Sequence, residues 1–313
     1  MDHIVVLFLT IFLAYIKIYV YYIFIMENEV LKIVKKVFGY EATILSPLVG
    51  GMMNKSFIVE YYNEKYVLYI STEQANEMVD RVLERDNQKL IIDLGLTSKN
   101  VYFDTDKGIK ANEYIEGSSL DKADSYDSKK VATLLKAMHE SGKLSRENYN
   151  PFKRFVAYEE EAKSFGDNFE ANYPVLRKEI FDNKEFLESQ KMVLCHNDAQ
   201  KSNIVKSADG KYYLIDFEFM GNNDPIYDIA TFGNGKVSEG YQLLMDYYDG
   251  HPTVEQQRRY YLWRIFVSLQ WHNVAIVKHF RGEGKVHGFD FLGVANFFFA
   301  NAMDAYKGLK EVK

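Results

Sequence analysis

Two neighbouring stretches carry most of the chemical information: VLCHNDAQKSNIV at residues 193–205 and YYLIDFEFMGNNDP at residues 212–225. Each begins with apolar and β-branched residues that are typical of a short strand and continues into turn residues. Asp198 and Asn203 follow the first run, and Asp216 and Glu218 follow the second. Asp and Asn favour turns by themselves, so two turns without a ligand are one interpretation. A pair of loops that holds a metal ion at strand ends is the other.

Outward from these stretches, the hydrophobic pattern changes between the two halves of the chain. TILSPLVGGMMNKSFIVEYYNEKYVLYI, residues 43–70, predicts three strands joined by a Gly-Gly turn and by a tight turn at Asn63 and Glu64. Helical spacing precedes it at residues 28–38 and follows it from Ala75 to Leu94. After the polar stretch 116–130, VATLLKAMHES at residues 131–141 and the aromatic-rich segments from about residue 255 onward predict helices.

The predicted fold is therefore α+β, with a small antiparallel-sheet lobe and a larger helical lobe. We expect the N-terminal lobe over residues 27–115 and the helical lobe over residues 116–313, with the two informative loops inside the helical lobe. Residues 1–26 form a separate hydrophobic segment.

Residues 4–25 contain one charge, Lys17, in 22 positions, which is long enough for a membrane-spanning helix. Lys32, Lys35 and Lys36 follow it, so the positive-inside rule predicts that the rest of the chain is cytoplasmic. The alternative is that translation begins at Met26 and that the protein is cytoplasmic without an anchor. Membrane association is expected only if residues 4–25 are a genuine anchor.

Overall composition narrows the class of protein. The net charge of −6 argues against a broad nucleic-acid-binding surface, and no nucleic-acid partner is expected. The single cysteine, Cys195, excludes an internal disulfide and fits a reducing compartment.

Three motifs in order resemble the aminoglycoside phosphotransferase and choline kinase family, and most of all bacterial choline kinases. They are LVGGMMNKSFIVEYYNEKYVLYI, CHNDAQKSNIV and YLIDFEFMGNNDPIYDIA. The spacing H-x-D-x-x-x-x-N followed by I-D is similar to the catalytic and metal loops of protein kinases. The resemblance implies a bilobal protein-kinase-like fold and phosphoryl transfer from ATP, with Mg²⁺, to choline or a related amino alcohol.

The resemblance also assigns roles to residues. Asp198 would act as the catalytic base, and His196 would support the loop without being catalytic. Asn203 and Asp216 would bind Mg²⁺ through hard oxygen atoms, with Glu218 in the same metal site on the same strand face as Asp216. The expected nucleotide-binding residues are Gly50, Gly51, Asn54, Lys55, Glu84, Glu113 and Ile115. The expected acceptor-binding residues are Trp271, Tyr227 and Phe232.

Two positions depart from the family pattern. The family has Lys or Arg late in the third strand, where this chain has Tyr69, and tyrosine does not carry the charge. Lys55 and Lys65 are the candidates to replace it. The family often has a second tryptophan three residues from Trp271, where this chain has Ser268 or Val274. Three functions remain open: a choline kinase, a kinase for ethanolamine or an aminoglycoside, and a nucleotide-binding pseudokinase.

Overall fold

The computed structural model describes residues 28–48, 54–166, 168–284 and 289–312. By their contacts the residues divide into two compact units. The first extends to Met78 and includes Ser98–Tyr114, and the second comprises Val79–Thr97 and the chain from Ile115 onward. The predicted membrane segment and the predicted Gly-Gly turn lie outside the described residues.

The first unit is built on one five-stranded antiparallel sheet. Its strands are β1 (Thr43–Leu48), β2 (Asn54–Tyr61), β3 (Glu64–Ser71), β4 (Asn100–Asp104) and β5 (Ile109–Glu113). They lie in the order β1-β2-β3-β5-β4. Helix α1 includes residues 28–37, and the short helix α2 (Glu73–Met78) follows β3.

The turn between β2 and β3 is formed by Tyr62 and Asn63, which both have positive φ (50° and 62°). Two consecutive left-handed residues match the twist of a two-residue hairpin. The hairpin fixes the register, and alternate side chains therefore face one side of the sheet. Val59, Leu68 and Ala111 pack on that side with Val34 of α1, so the core of this unit lies between the sheet and α1.

The second unit is mainly helical. Its helices are α3 (Arg81–Asp93), α4 (Ser128–His139), α5 (Pro151–Ser164), α6 (Tyr173–Asp182), α7 (Lys184–Glu188), α8 (Pro225–Phe232), α9 (Val237–Tyr247), α10 (Val254–Phe280) and α11 (Phe291–Glu311). The 27-residue α10 crosses the core, where Trp263 and Phe266 are buried among rings from α5 and α8. A capping box formed by Thr253 and Gln256 starts it.

Among its described residues, five short strands interrupt this helical unit. They are β6 (Gly117–Ser119), β7 (Val193–Cys195), β8 (Ile204–Ser207), β9 (Tyr212–Leu214) and β10 (Gly221–Asn223). Strands β6, β8 and β9 form one antiparallel sheet, and β7 pairs with β10. These pairings bring the two informative stretches of the sequence together, because β7 and β8 flank the first and β9 and β10 flank the second.

One predicted helix is divided. The spacing from Ala75 to Leu94 predicts a single helix, whereas the structure has α2 and α3, with Asp80 as the N-cap of α3. Helix α3 belongs to the second unit because its buried face packs there: Ile91 joins the large core, and Asn87 Nδ2 donates to the Met220 carbonyl at 2.8 Å. Within the described part of the chain, no helix combines the length and apolar character needed to cross a membrane.

Candidate active site

His196 holds the loop that connects β7 to β8. Its Nε2 lies 2.9 Å from the Ile215 carbonyl oxygen, which can only accept, so Nε2 carries the proton. The remaining nitrogen, Nδ1, accepts from the Asp198 N–H at 3.3 Å. Burial lowers the pKa of His196, which keeps the ring neutral in this arrangement. The predicted role of His196 as a supporting residue agrees with these contacts.

Asp228, in the first turn of α8, accepts hydrogen bonds from the backbone of the same loop. Its Oδ2 accepts the His196 N–H at 2.8 Å and its Oδ1 accepts the Asn197 N–H at 2.7 Å. Oδ2 also lies 3.0 Å from His139 Nε2. Asn197 has a left-handed backbone (φ 63°), a conformation that Asn tolerates better than most residues. The carboxylate thus fixes a strained turn immediately before Asp198.

Sequence reasoning missed Asp228. An acidic residue shortly after Asp224-Pro225 indicates only a favourable charge at a helix N-terminus. Its partners His196 and Asn197 are 32 and 31 residues away, and no local pattern predicts that pairing.

Asp198 is almost completely buried, at 9% exposure, and accepts hydrogen bonds from two amides. Asn203 Nδ2 donates to its Oδ2 at 2.9 Å and Gln200 Nε2 donates to the same oxygen at 3.2 Å. Burial and, second to it, the negative charge of Asp216 raise the pKa of Asp198 to about 8, against the opposing effect of Arg154 and the two amides. A buried carboxyl group with a raised pKa is typical of a general base.

Arg154 of α5 is the second residue near Asp198 that sequence reasoning missed. Its positive charge acts on Asp198, and its guanidinium carbon lies 3.7 Å from the centroid of the Phe219 ring. Arg154 Nη1 also donates to the Tyr149 hydroxyl at 3.3 Å. A guanidinium group stacked on one ring and bonded to another residue is held in place, so it acts on Asp198 as a fixed charge.

Asn203 and Asp216 form a donor set that fits a magnesium ion. Asn203 Nδ2 donates to Asp198, both at its carboxylate and at its carbonyl oxygen (2.9 Å each), so a metal ion at Asn203 would bind the amide oxygen. Asp216 has a positive φ of 66°, and Ile215 N–H donates to the Asn203 carbonyl at 3.0 Å, so the two loops are joined here. Carboxylate and amide oxygens are the ligands that Mg²⁺ accepts.

Glu218 and Glu84 meet at one arginine. Arg81 Nη1 lies 2.7 Å from Glu84 Oε2 and 3.1 Å from Glu218 Oε1, and all three side chains are nearly inaccessible to solvent. Carboxylate oxygens of Glu84, Asp216 and Glu218 lie within 4.8 Å of one another. Arg81 offsets part of this negative charge. A ligand role for Glu218 and a nucleotide-binding role for Glu84 stay predictions.

The expected nucleotide-binding residues of the first unit lie along its sheet. Asn54 begins β2, where its Oδ1 accepts from Ser71 Oγ at 2.8 Å, and the exposed Lys55 follows it. The N–H of Glu113, at the end of β5, donates to the Lys99 carbonyl at 2.9 Å. Ile115 belongs to the second unit, and Gly50 and Gly51 lie outside the described residues. Nucleotide contacts for this set stay a prediction.

The expected acceptor residues differ in exposure. Tyr227 and Phe232 of α8 are completely buried: Tyr227 packs edge-on against Trp263, and Phe232 against Tyr126. Trp271 of α10 is half-buried. Trp271 is therefore the one of the three predicted residues that the structure leaves partly accessible.

A chain of polar side chains leads from Asp198 to the face of α10 that carries Trp271. Gln200, which donates to Asp198, lies 3.5 Å from Asn234 Nδ2, and Asn234 Oδ1 accepts from Arg264 Nη1 at 2.7 Å. Trp271 is seven residues beyond Arg264, on the same helical face. A largely buried chain of polar contacts thus joins Asp198 to α10, the helix that also carries Trp271.

Comparison with known proteins agrees with this geometry. The family model for choline/ethanolamine kinases matches residues 45–262, which include both loops of the site. The LicA protein of Haemophilus influenzae is 26% identical over 200 residues, which cover 62% of this chain and 59% of that protein. The match therefore spans less than two thirds of that relative.

Solved structures are similar over nearly the whole chain. The choline kinase LicA from Streptococcus pneumoniae is 26% identical with a TM-score of 0.70, covering 91% of this chain and 99% of that one. A complex of LicA with AMP gives a TM-score of 0.69 at 26% identity, covering 92% of this chain and 99% of that one. The aminoglycoside phosphotransferase APH(4)-Ia, at 15% identity and a TM-score of 0.65 over 89% of this chain and 98% of that one, shares the fold. Since the family model matches more than half of the chain, this protein belongs to the choline/ethanolamine kinase family and is a small-molecule kinase with an α+β, protein-kinase-like fold.

Proposed function

We propose that this kinase transfers the terminal phosphoryl group of Mg·ATP to the hydroxyl of choline and forms phosphocholine. The observation that carries the proposal is the buried carboxyl group of Asp198, hydrogen-bonded to Asn203 and under the charge of Asp216. Phosphoryl transfer requires an oriented nucleophile and neutralised phosphate charge, and this loop pair can provide both.

Asp198 orients the acceptor hydroxyl and takes up its proton. The amides of Asn203 and Gln200 both donate to Oδ2, so the carboxyl group is held in one orientation while Oδ1 remains for the hydroxyl. The fixed charge of Arg154 favours the ionised form of Asp198. Bound Mg²⁺, held by the Asn203 amide oxygen and the Asp216 carboxylate, would neutralise charge on the phosphates and on Asp216.

Trp271 supports a quaternary ammonium acceptor. Its indole ring is stacked with Phe298 of α11, with ring centroids 6.0 Å apart and an interplanar angle of 19°, and both side chains are half-buried. Aromatic faces attract quaternary ammonium groups through the ring quadrupole. The Trp271–Phe298 pair therefore takes the place of the two tryptophans of the family pattern in this proposal.

The proposal is tested by measuring ADP release by the full chain with Mg·ATP. Choline, ethanolamine and an aminoglycoside are offered separately, and phosphocholine is identified by mass spectrometry. Turnover with choline supports the proposal. Turnover only with another of the three compounds would make that compound the acceptor instead of choline. In Asp198→Asn we expect a loss of turnover of at least about 100-fold, the usual contribution of a general base.

Asp209→Asn is a matched control, because Asp209 is exposed in the turn after β8 and bonds to its neighbours Ser207 and Lys211. A loss of less than about tenfold in Asp198→Asn, well short of the usual contribution of a base, contradicts the assigned role.

A non-catalytic, nucleotide-binding protein is the second candidate, and Tyr69 is the observation that favours it. The family pattern has a basic residue at this position of β3. Binding of ADP together with no turnover on any of the three acceptors would favour this function over the kinase.

A further inference from the structure

The position of Tyr69 in the sheet points to a specific neighbour. Tyr69 pairs with Lys110 of β5 on one side and with Ser56 of β2 on the other. Directly paired residues of antiparallel strands project from the same face. Because Leu68 and Ala111 face α1, Tyr69 and Lys110 both project from the opposite face of the sheet.

Lys110 is nearly inaccessible, at 4% exposure, which is rare for a lysine. Its ammonium nitrogen lies 5.0 Å from the centroid of the Tyr69 ring. Burying an ammonium group is unfavourable unless the surroundings compensate for the lost water, and an aromatic face does so in part. The tyrosine that replaces the expected basic residue therefore holds a positive charge from the next strand.

The distance between the strands is small compared with a lysine side chain. Neighbouring strands lie about 4.8 Å apart, so a lysine on β5 can bring its ammonium group above the β3 position that pairs with it. With Tyr69 in place of a basic residue, the positive charge comes from Lys110 on the neighbouring strand β5 and still lies on the same face of the sheet.

The two lysines considered from the sequence are less well placed. Lys55 pairs with Ile70, which packs in the apolar cluster, so Lys55 projects from the face opposite to Tyr69. Lys65 is at the other end of β3, with its ammonium nitrogen 5.7 Å from the centroid of the Tyr114 ring.

We infer that Lys110 is the phosphate-binding residue of this kinase and supplies, from β5, the positive charge that the family pattern has at Tyr69. The inference rests on the proposed use of ATP but not on the identity of the acceptor. It assigns Tyr69 a positioning role, in which the ring orients the ammonium group. It also removes the main argument for a non-catalytic protein.

Nucleotide binding tests the charge without catalysis. Isothermal titration calorimetry with ADP and with adenosine is carried out on the wild type, Lys110→Met, Lys110→Arg and the control Lys65→Met. We expect Lys110→Met to weaken ADP binding by about 10- to 100-fold, the contribution of a charged hydrogen bond. Adenosine binding stays unchanged, Lys110→Arg retains part of the ADP affinity, and Lys65→Met has no effect. An unchanged affinity for ADP in Lys110→Met, or an equal loss for ADP and adenosine, overturns the inference.

Wild-type protein provides a second test that does not depend on the folding of a variant. An acyl-phosphate derivative of ADP transfers its acyl group to a lysine amine near the terminal phosphate and releases ADP. Peptide mass spectrometry then identifies the acylated lysine. We expect acylation of Lys110 and suppression of this acylation by excess ADP. Acylation of Lys55 or Lys65 instead, or of no lysine of the sheet, refutes the assignment. Neither test requires turnover, so a wrong acceptor leaves both results intact.

Discussion

Replacing Asp228 should loosen the loop that carries Asp198 and destabilise the second unit by a measurable amount. The carboxylate is completely buried and accepts the N–H groups of His196 and Asn197 at 2.8 and 2.7 Å, besides its contact with His139. In Asp228→Ala both N–H groups lose their acceptor, and each unsatisfied buried donor costs about 1–3 kcal/mol. We therefore expect Asp228→Ala to lower the free energy of unfolding by about 3–5 kcal/mol, a range that also applies to breaking a buried ion pair. Asp228→Asn keeps one acceptor oxygen and should lose about half as much.

Urea unfolding followed by tryptophan fluorescence reports this unit selectively. The chain has two tryptophans, Trp263 and Trp271, and both are in α10. At a typical urea dependence, the expected loss in Asp228→Ala lowers the midpoint by about 1–2 M. Asp249→Asn is the control: its side chain is 85% exposed beside Lys136, and exposed ion pairs contribute little. The reasoning is refuted if Asp228→Ala moves the midpoint no further than Asp249→Asn.

Three further substitutions test the metal site, the acceptor site and the pH dependence. Asp216→Asn should raise the Mg²⁺ concentration for half-maximal ADP release by about tenfold or more, the size of one lost charged contact, and an unchanged Mg²⁺ requirement would exclude Asp216 as a ligand. Trp271→Leu should raise the KM for choline by about 3- to 30-fold through loss of the cation–π contact, with the KM for ATP unchanged; Phe297→Leu, at an exposed position, is its control. Burial raises the pKa of Glu159, but the hydrogen bonds led by Arg177 outweigh it and the net pKa is lowered from 4.5. Glu159 therefore stabilises the fold fully above pH 4.5 and progressively less as the pH falls through its lowered pKa. Thermal melts of Glu159→Gln should show a deficit at pH 7 that shrinks below pH 4.5, and a deficit independent of pH would contradict this.

Local sequence patterns predicted the parts of the fold that depend on near neighbours. The hairpin of β2 and β3 follows from β-branched residues around a two-residue turn, although the turn lies at Tyr62 and Asn63, one residue earlier than predicted. The contact of Asn203 with Asp198 agrees with their spacing in the sequence. The family resemblance added the overall arrangement, because the order of motifs along the chain defines the two lobes.

Contacts between distant segments could not be predicted in this way. Lys110 and Tyr69 are partners only because β5 lies next to β3, a pairing that no local period indicates. The acidic residue Asp228 resembles an ordinary first-turn helix residue until its partners in the loop are known. Tyr227 and Phe232 are aromatic, as an acceptor pocket requires, but their burial in the core depends on the packing of α8 against α9 and α10, which a single sequence does not reveal.

Helix α10 connects the proposed acceptor-binding residue to the support of the loop that carries Asp198 through one continuous element. In its third turn, Trp263 Nε1 donates to Asp224, the N-cap of α8, and the first turn of α8 supports the loop that carries Asp198. Eight residues later, about 12 Å along the axis, lies Trp271, the proposed acceptor-binding residue. If the proposed roles hold, substitutions at Trp271 and its stacked partner Phe298 should change substrate preference and leave the turn that supports Asp198 unchanged. Laboratory selection for a new amino alcohol would do best to randomise these two positions and to leave the first three turns of α10 alone.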